Sequence, residues 1–340
     1  MTEVSEFLVG INCITYNQHA FIVDAMNGFT MQQTNFPFVT VIVDDASSDG
    51  EPGVIQKYIG EHFDLSSESE TRQWENEEAR YVYARHKDNK NCYFAVVFLK
   101  TNYYSKKKSK SVHTNQWLND VKYIAICEGD DCWTDAHKLQ LQVDFMETHP
   151  DYSMCFHNAI EHWENGEKSD RLFSNIQDRD YNDIEIYENW IVPTASVLYK
   201  SSILYSDLYV SAKSNRNFIY GDIILFLSCA RHGKVRGLSR CMSIYRRHAG
   251  GMVFSMDTAH LINRSKHHYA IHKVFGDKFK KLSIERYSND ALLSVSRLRA
   301  EGNSFIPVLF DVFLKQPVKT IKYIFKVPLK MISNHGADKH

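Results

Sequence analysis

The sequence has no cysteine pair at CxxC spacing, no glycine-rich loop behind its first apolar run, no internal repeat and no apolar stretch of membrane-spanning length. Each absence removes a class of answer. Cys13, Cys92, Cys127, Cys132, Cys155, Cys229 and Cys241 are odd in number, scattered, and mostly set among apolar residues, so they read as buried reduced thiols of a cytoplasmic protein. Cys127 and Cys132 with the more distant His157 come nearest to a zinc set, and without a CxxC pair they make a poor one. The roughly 18 uninterrupted apolar residues of a transmembrane helix are missing, and "MTEVSEFLVG" has no basic start followed by an apolar core. The expectation is a chain neither exported by a standard signal nor threaded through a membrane. With 40 Lys and Arg against 41 Asp and Glu the net charge is −1, so no global basic field gathers nucleic acid and charge arguments are local.

What is present is a core and a pattern. Of 340 residues, 44% are hydrophobic, enough for one large domain or two ordinary ones. "FLVGINCIT" (7–15) is a nearly continuous apolar run of strand length, and behind it Phe21, Ile22, Ala25, Met26 and Phe29 recur at helical spacing. "FPFVTVIVDDASSDG" followed by "GVIQKYIGEHF" repeats the strand–helix scheme. "NCYFAVVFLK" and "KYIAICEGDD" read as further strands, and "DAHKLQLQVDFMETHP" as a helix opened by Asp135 and stopped by Pro150. Strands alternating with helices and buried on both faces predict an α/β fold with a mainly parallel sheet flanked by helices. "DLSSESETRQWENEEAR" is polar enough to be a surface excursion.

Open α/β sheets bind ligands beyond the carboxyl ends of their strands. Thr15, Tyr16 and Asn17, then Asp44 and Asp45, then Glu128 to Asp131 all fall at such ends, so three segments supply polar groups to one rim. Asp-Ser and Asp-Gly turns also serve as simple helix caps, and "DDASSDG" alone does not distinguish the two uses. In "AICEGDDCW" three acidic side chains stand within four residues behind an apolar strand. Like charges so close raise one another's pKa, an arrangement that calls for a positive partner.

With "CITYNQ" (13–18), "VIVDDASSDG" (41–50), "CEGDDCWTDAHKLQLQVDF" (127–145), "GDIILFL" (221–227) and "IYRRHAGG" (244–251) in this order, the chain resembles the inverting family-two glycosyltransferases of bacterial polysaccharide type. The resemblance implies the Rossmann-like GT-A fold over about 1–255, with a nucleotide-binding half to about 150, an acceptor-side half to about 255 and a helical C-terminal extension over 256–340. It implies a nucleotide-sugar donor whose base and ribose lie against Thr15, Tyr16 and Asp45, with Tyr16 able to stack on the base and Asn17 and Asp44 on the same rim. In "EGD", Asp130 would coordinate Mg²⁺ or Mn²⁺ bridging the two phosphates, Glu128 would face the ribose or a metal-bound water, and Gly129 would leave room for the donor. His248 would complete the metal shell, and Arg246 or Arg247 would offset the charge of the leaving diphosphate from a loop.

Asp222 opens an apolar helix closed by Gly233, and the resemblance implies that it is the general base taking the acceptor's proton. Aspartate at a helix start is also a common N-cap, and Asp207 is the nearest competitor for the role. Two basic features remain. "SKKKSK" (105–110) is either a solvated loop or a lure for an anionic acceptor near the rim. At the C-terminus Lys315, Lys319, Lys322, Lys326 and Lys330 lie opposite Val318, Ile321, Ile324, Phe325 and Ile332 on a helix interrupted by Pro317 and Pro328. Such a helix either lies on an anionic membrane or packs its apolar face on its own domain.

The expected activity is metal-dependent transfer of a sugar to a hydroxyl of a glycan or lipid-linked acceptor, in cell-surface polysaccharide synthesis. The expected place is the cytoplasm or the inner face of the membrane, with no nucleic-acid partner. A sugar-nucleotide nucleotidyltransferase is the first rival, disfavoured because "CITYNQHA" lacks the glycine-rich phosphate loop. A non-catalytic GT-A domain that binds glycans or partner proteins is the second, and Asp130 and Asp222 argue against it.

Overall fold

The computed structural model describes residues 7–251 and 257–326, and Pro328, Lys330 and Ile332 lie outside the described residues. The chain divides into two compact units, Met1–Tyr209 with Leu225–Ala249, and Val210–Ile224 with Gly250–His340. One division falls at 249/250. What the sequence pattern did not show is that 210–224, with Asp222, clusters with the C-terminal helices.

Along the first unit, β1 (Val9–Thr15) is followed by α1 (Ile22–Thr30), β2 (Phe38–Asp44) by α2 (Glu51–His62), and then come β3 (Arg72–Glu75), β4 (Ala79–Arg85) and β5 (Cys92–Leu99). Next are α3 (Ser111–Leu118), β6 (Tyr123–Ile126), the short β7 (Cys132–Trp133), α4 (Lys138–Thr148) and the long β8 (Tyr152–Trp163). β9 (Arg171–Leu172), α5 (Asp183–Asn189), β10 (Leu198–Lys200) and β11 (Lys234–Arg247) complete the sheet region, while α6 (Asp207–Ser214) and α7 (Gly221–His232) straddle the divisions at 209/210 and 224/225.

The eleven strands form one mixed sheet in the order β3-β4-β5-β2-β1-β6-β10-β8-β11-β7, with β9 beside β8. β5, β2, β1 and β6 are parallel, as two-sided burial predicts: every residue of β2 and β5 is buried. Burial of each Val, Ile or Phe in this layer contributes about 1.5–3 kcal/mol, and residues such as Val9, Ile11, Phe29, Phe94 and Val96 build the core between sheet and helices. The segment read as a surface excursion contains β3, whose four residues are all exposed and which pairs antiparallel with β4 at the sheet edge. Its polar composition suits an edge strand, and for that reason concealed it. α4 starts slightly past the expected residue, at Lys138, with Asp135 accepting from the His137 N–H (2.9 Å) just ahead of it, whereas α7 starts at Gly221, one residue before Asp222.

The second unit holds α8 (Thr258–Phe275), α9 (Lys280–Ala300), α10 (Ile306–Lys315) and α11 (Pro317–Lys326). Asp257 caps α8 by accepting from the His260 N–H at 2.6 Å, and Gly276, at φ 103°, ends it in a positive-φ conformation that favours glycine. Tyr287, Ala291 and Leu292 of α9 and Val312 of α10 form a small apolar core, with Tyr269, Val308, Leu309 and Tyr323 packed around it.

Candidate active site

The rim forms because parallel strands end together. Thr15 at the end of β1 stands in register with Asp44 at the end of β2, and the Asp45 N–H continues the ladder to the Thr15 carbonyl at 3.0 Å. On the other flank of β1 the chain beyond β6 stays alongside: the Cys127 N–H donates to the Asn12 carbonyl (3.3 Å) and the Gly129 N–H to the Ile14 carbonyl (3.2 Å). "CITYNQ", "VDDASSDG" and "CEGDD" are thus neighbours, as the sequence pattern required.

Glu51, which sequence reasoning missed, ties the first two together. It is fully buried in the first turn of α2, where its Oε1 accepts from the Thr15 hydroxyl. Its Oε2 accepts from the Gln18 N–H and the Ser47 hydroxyl, both at 2.8 Å. Burial pushes its carboxyl above the usual range. Its sequence signal was an acidic residue directly behind the Ser-Ser-Asp-Gly turn, which reads equally as a helix-start charge. Asn17, at φ 55°, bonds through its N–H to the Ser47 hydroxyl and through its side-chain carbonyl to the Ser48 N–H, both at 2.8 Å. The loop is therefore fixed around Tyr16, whose ring is 46% exposed and available for stacking.

Asp44 and Asp45 differ in environment. Asp44 is buried, accepts the Ser47 N–H at 3.3 Å, and is pushed up to about 6, chiefly by burial. Asp45 is also buried, but its carboxylate accepts the N–H groups of Tyr103 (2.6 Å) and Tyr104 (3.0 Å) and pairs with Lys110 at 2.8 Å. The last lysine of "SKKKSK" therefore sits at the rim, and in this structure the Asp45 carboxylate holds that loop.

At the acidic turn, Gly129 packs on Thr15: a Cβ there would stand 2.6 Å from Thr15 Cβ and 3.2 Å from Ile22 Cδ1. The expected role of Gly129 is thereby refined, because the space it leaves is filled by Thr15. Glu128 precedes it, half-buried. Asp131 is buried, with Oδ1 accepting the Arg246 N–H at 2.9 Å and Oδ2 without a hydrogen-bond partner. Burial, with the charges of Asp130 and Glu128, pushes its carboxyl well up. Asp130 keeps a partly exposed side chain, with Oδ2 3.0 Å from His248 Nε2 and 3.4 Å from Gln18 Nε2. The His248 ring also lies 4.8 Å, centroid to centroid, from that of Phe21.

The arginines correct the expectation of a loop reaching over a diphosphate. β11 continues through Arg247 because it stays paired with β8 as far as Trp163, so both arginines are in a strand. Arg246 pairs with Asp24 and Glu164 and lies over the Phe21 ring, while Arg247 pairs with Glu161 at 2.8 Å. These guanidiniums face carboxylates of the fold.

Asp222 belongs to the second unit and is half-buried in the first turn of α7, where its Oδ1 accepts the Ile223 N–H at 2.8 Å. Burial raises its carboxyl above the ordinary range. The segment before it is held to α8: the Ile219 N–H donates to His267 Nδ1 (3.3 Å), and the Tyr220 hydroxyl lies 2.8 Å from His260 Nε2. Asp207 sits in the first turn of α6. All seven cysteines are free, and Cys241 alone among them is exposed. A separate cleft of about 580 Å³, lined by residues including Gln33, Asn89 and His137, shares none of the rim residues.

No family model matches the chain. Over 256 residues it is 30% identical to the uncharacterized proteins Mb1547 of Mycobacterium bovis and Rv1520 of Mycobacterium tuberculosis, a match that covers 74% of this chain and 62% of theirs. Among solved structures it resembles S. aureus TarS in complex with UDP-GlcNAc (TM-score 0.51, 14% identity, 95% of this chain and 77% of that one). It also resembles TarS in complex with UDP (TM-score 0.53, 13% identity, 93% and 82%). Such a likeness establishes architecture, and the chain has the GT-A fold of glycosyltransferases.

Proposed function

We propose that this chain is a glycosyltransferase that moves a sugar, with inversion, from a nucleotide-diphosphate donor to a hydroxyl of a glycan or lipid-linked acceptor. Its place would be the cytoplasmic side of cell-surface polysaccharide synthesis. The observation that carries the reading is the approach of Asp130 and His248, 118 positions apart in the chain, to 3.0 Å at the rim that also presents Tyr16. The GT-A fold, and the binding of UDP-GlcNAc and UDP by TarS, support a nucleotide-sugar ligand at such a rim.

A divalent cation, Mg²⁺ or Mn²⁺, fits the donor set. Asp130 offers a carboxylate and His248 an imidazole, beside an unpartnered buried oxygen of Asp131. Among the described residues no three His, Cys, Asp or Glu are grouped to enclose a metal. Asp130 and His248 would be the ion's protein ligands. Held by Asp130 and His248, it would supply positive charge to the departing diphosphate.

The protein's own part follows. Tyr16 stacks on the base, and the Thr15–Glu51 bond with the Asn17 contacts keeps that ring in place. The acceptor oxygen attacks the anomeric carbon as the bond from that carbon to the diphosphate oxygen breaks. The diphosphate leaves with the bonding electrons, and the hydroxyl proton passes to the carboxylate of Asp222. A carboxyl raised by burial is a stronger base than a free aspartate once ionised.

The test is a panel of nucleotide sugars with Mn²⁺, read by melting temperature and by release of nucleoside diphosphate. One donor should stabilise the protein in a metal-dependent way and lose its sugar. A panel in which none does either overturns the reading.

A further inference from the structure

The last two helices of the second unit each leave a large apolar face outward. In α11, Thr320 is fully buried, the Tyr323 hydroxyl meets Ser296 Oγ at 2.6 Å, and Lys319 Nζ reaches Asn289 Oδ1 at 2.7 Å. At about 100° per residue these three lie on one side of the helix, and Val318, Ile321, Ile324 and Phe325 on the other. In α10, Val308, Leu309 and Val312 face the small core, leaving Ile306, Phe310, Phe313 and Leu314 outward. These eight outward residues are each between 40% and 85% exposed. For the described residues of the apolar face, Val318, Ile321, Ile324 and Phe325, packing on their own domain is therefore not what the structure shows.

Charge identifies what covers the face. Residues 251–340 carry 15 Lys and Arg against 7 Asp and Glu, whereas residues 1–250 carry 25 against 34. α11 contains lysines and no acidic residue, and Lys322 is exposed on the flank of its apolar side. A neutral apolar partner would gain nothing from this segregation, while an anionic surface with an apolar interior meets both features at once. Among the described residues no helix is long and apolar enough to cross a membrane. We propose that α10 and α11 form a docking face for an anionic lipid surface, with the outward apolar side chains entering the acyl boundary and the lysines at headgroup level.

The experiment is co-sedimentation of the full chain with vesicles of phosphatidylcholine alone or mixed with phosphatidylglycerol. The readout is lipid binding, so it stands or fails independently of sugar transfer. Binding to the mixed vesicles should exceed that to the neutral ones and weaken as salt rises, because the lysine contribution is screened. The double substitution Phe310→Gln with Phe325→Gln should weaken binding at least about tenfold without lowering the melting temperature, since both side chains are exposed. Lys322→Glu should weaken binding to the mixed vesicles only. Absence of binding, equal binding to both vesicles, or full binding by the double variant overturns the proposal. So does a self-association that the double substitution abolishes in a chain that binds no vesicles, an outcome that assigns the face to a second copy.

Discussion

His248 Nε2 lies 3.0 Å from Asp130 Oδ2, although one residue follows the last long strand of the sheet and the other the short strand β6. Asp131 makes the meeting possible by accepting the Arg246 N–H, which fixes the end of β11 two residues before the imidazole. An acidic turn and a basic strand end thus share one hydrogen bond and one side-chain pair.

If these two groups hold a divalent ion, Asp130→Asn removes a charged oxygen at constant size. Nucleoside-diphosphate affinity in Mn²⁺, measured by calorimetry, should fall at least about tenfold, or about 1.4 kcal/mol. Chelation should weaken the parent similarly. Parental affinity in the variant would remove Asp130 from the metal.

Gly129→Ala tests the packing of the turn. The new methyl would press on Thr15 Cβ and Ile22 Cδ1, and the overpacking should destabilise the fold by about 1–3 kcal/mol in urea unfolding. Because Thr15 bonds to Glu51, donor affinity should fall as well. A variant of parental stability would show that the strand ends are not closely joined there.

Asp44 predicts a pH dependence of stability. Its carboxyl stands at about 6 in the folded chain, against about 4 when unfolded. Between those values the folded state binds more protons, so stability falls as pH rises through the window, by up to about 3 kcal/mol at a difference of about two units. Asp44→Asn should therefore melt higher than the parent at about pH 8 and little differently at about pH 3.5. Equal melting at both would show that burial imposes no such cost.

Asp222→Asn separates base from cap, because Asn caps a helix about as well but accepts no proton. Melting temperature should not fall and donor binding should stay near parental, while turnover drops on the order of 10² to 10⁴ fold. The raised carboxyl also places the acid limb of the parent's pH–rate profile above the ordinary aspartate range. Asp207→Asn should cost little, and the reverse pattern would move the base to Asp207.

Sequence alone determined the elements whose neighbours are fixed by pattern. Apolar runs buried on both faces made β2 and β5, and parallel strands ending in Thr15, Asp44 and Ile126 brought the polar segments behind them to one rim without further information. Tertiary structure decided whatever depends on which partner a side chain meets. Arg246 and Arg247 read as part of a loop until the pairing of β11 with β8 placed them in a strand, beside Asp24, Glu164 and Glu161. Glu51 went unremarked in the sequence, and its burial against Thr15 makes it a brace. Lysine shows the same division. Lys138 is fully buried, over the Trp133 ring at 4.0 Å and bonded to Gln142 Oε1 at 2.7 Å, while Lys322 is exposed beside an uncovered apolar face. Both occupy helices with apolar residues at helical spacing. Periodicity states that a face is apolar, and only the packing of the chain states whether anything lies against it.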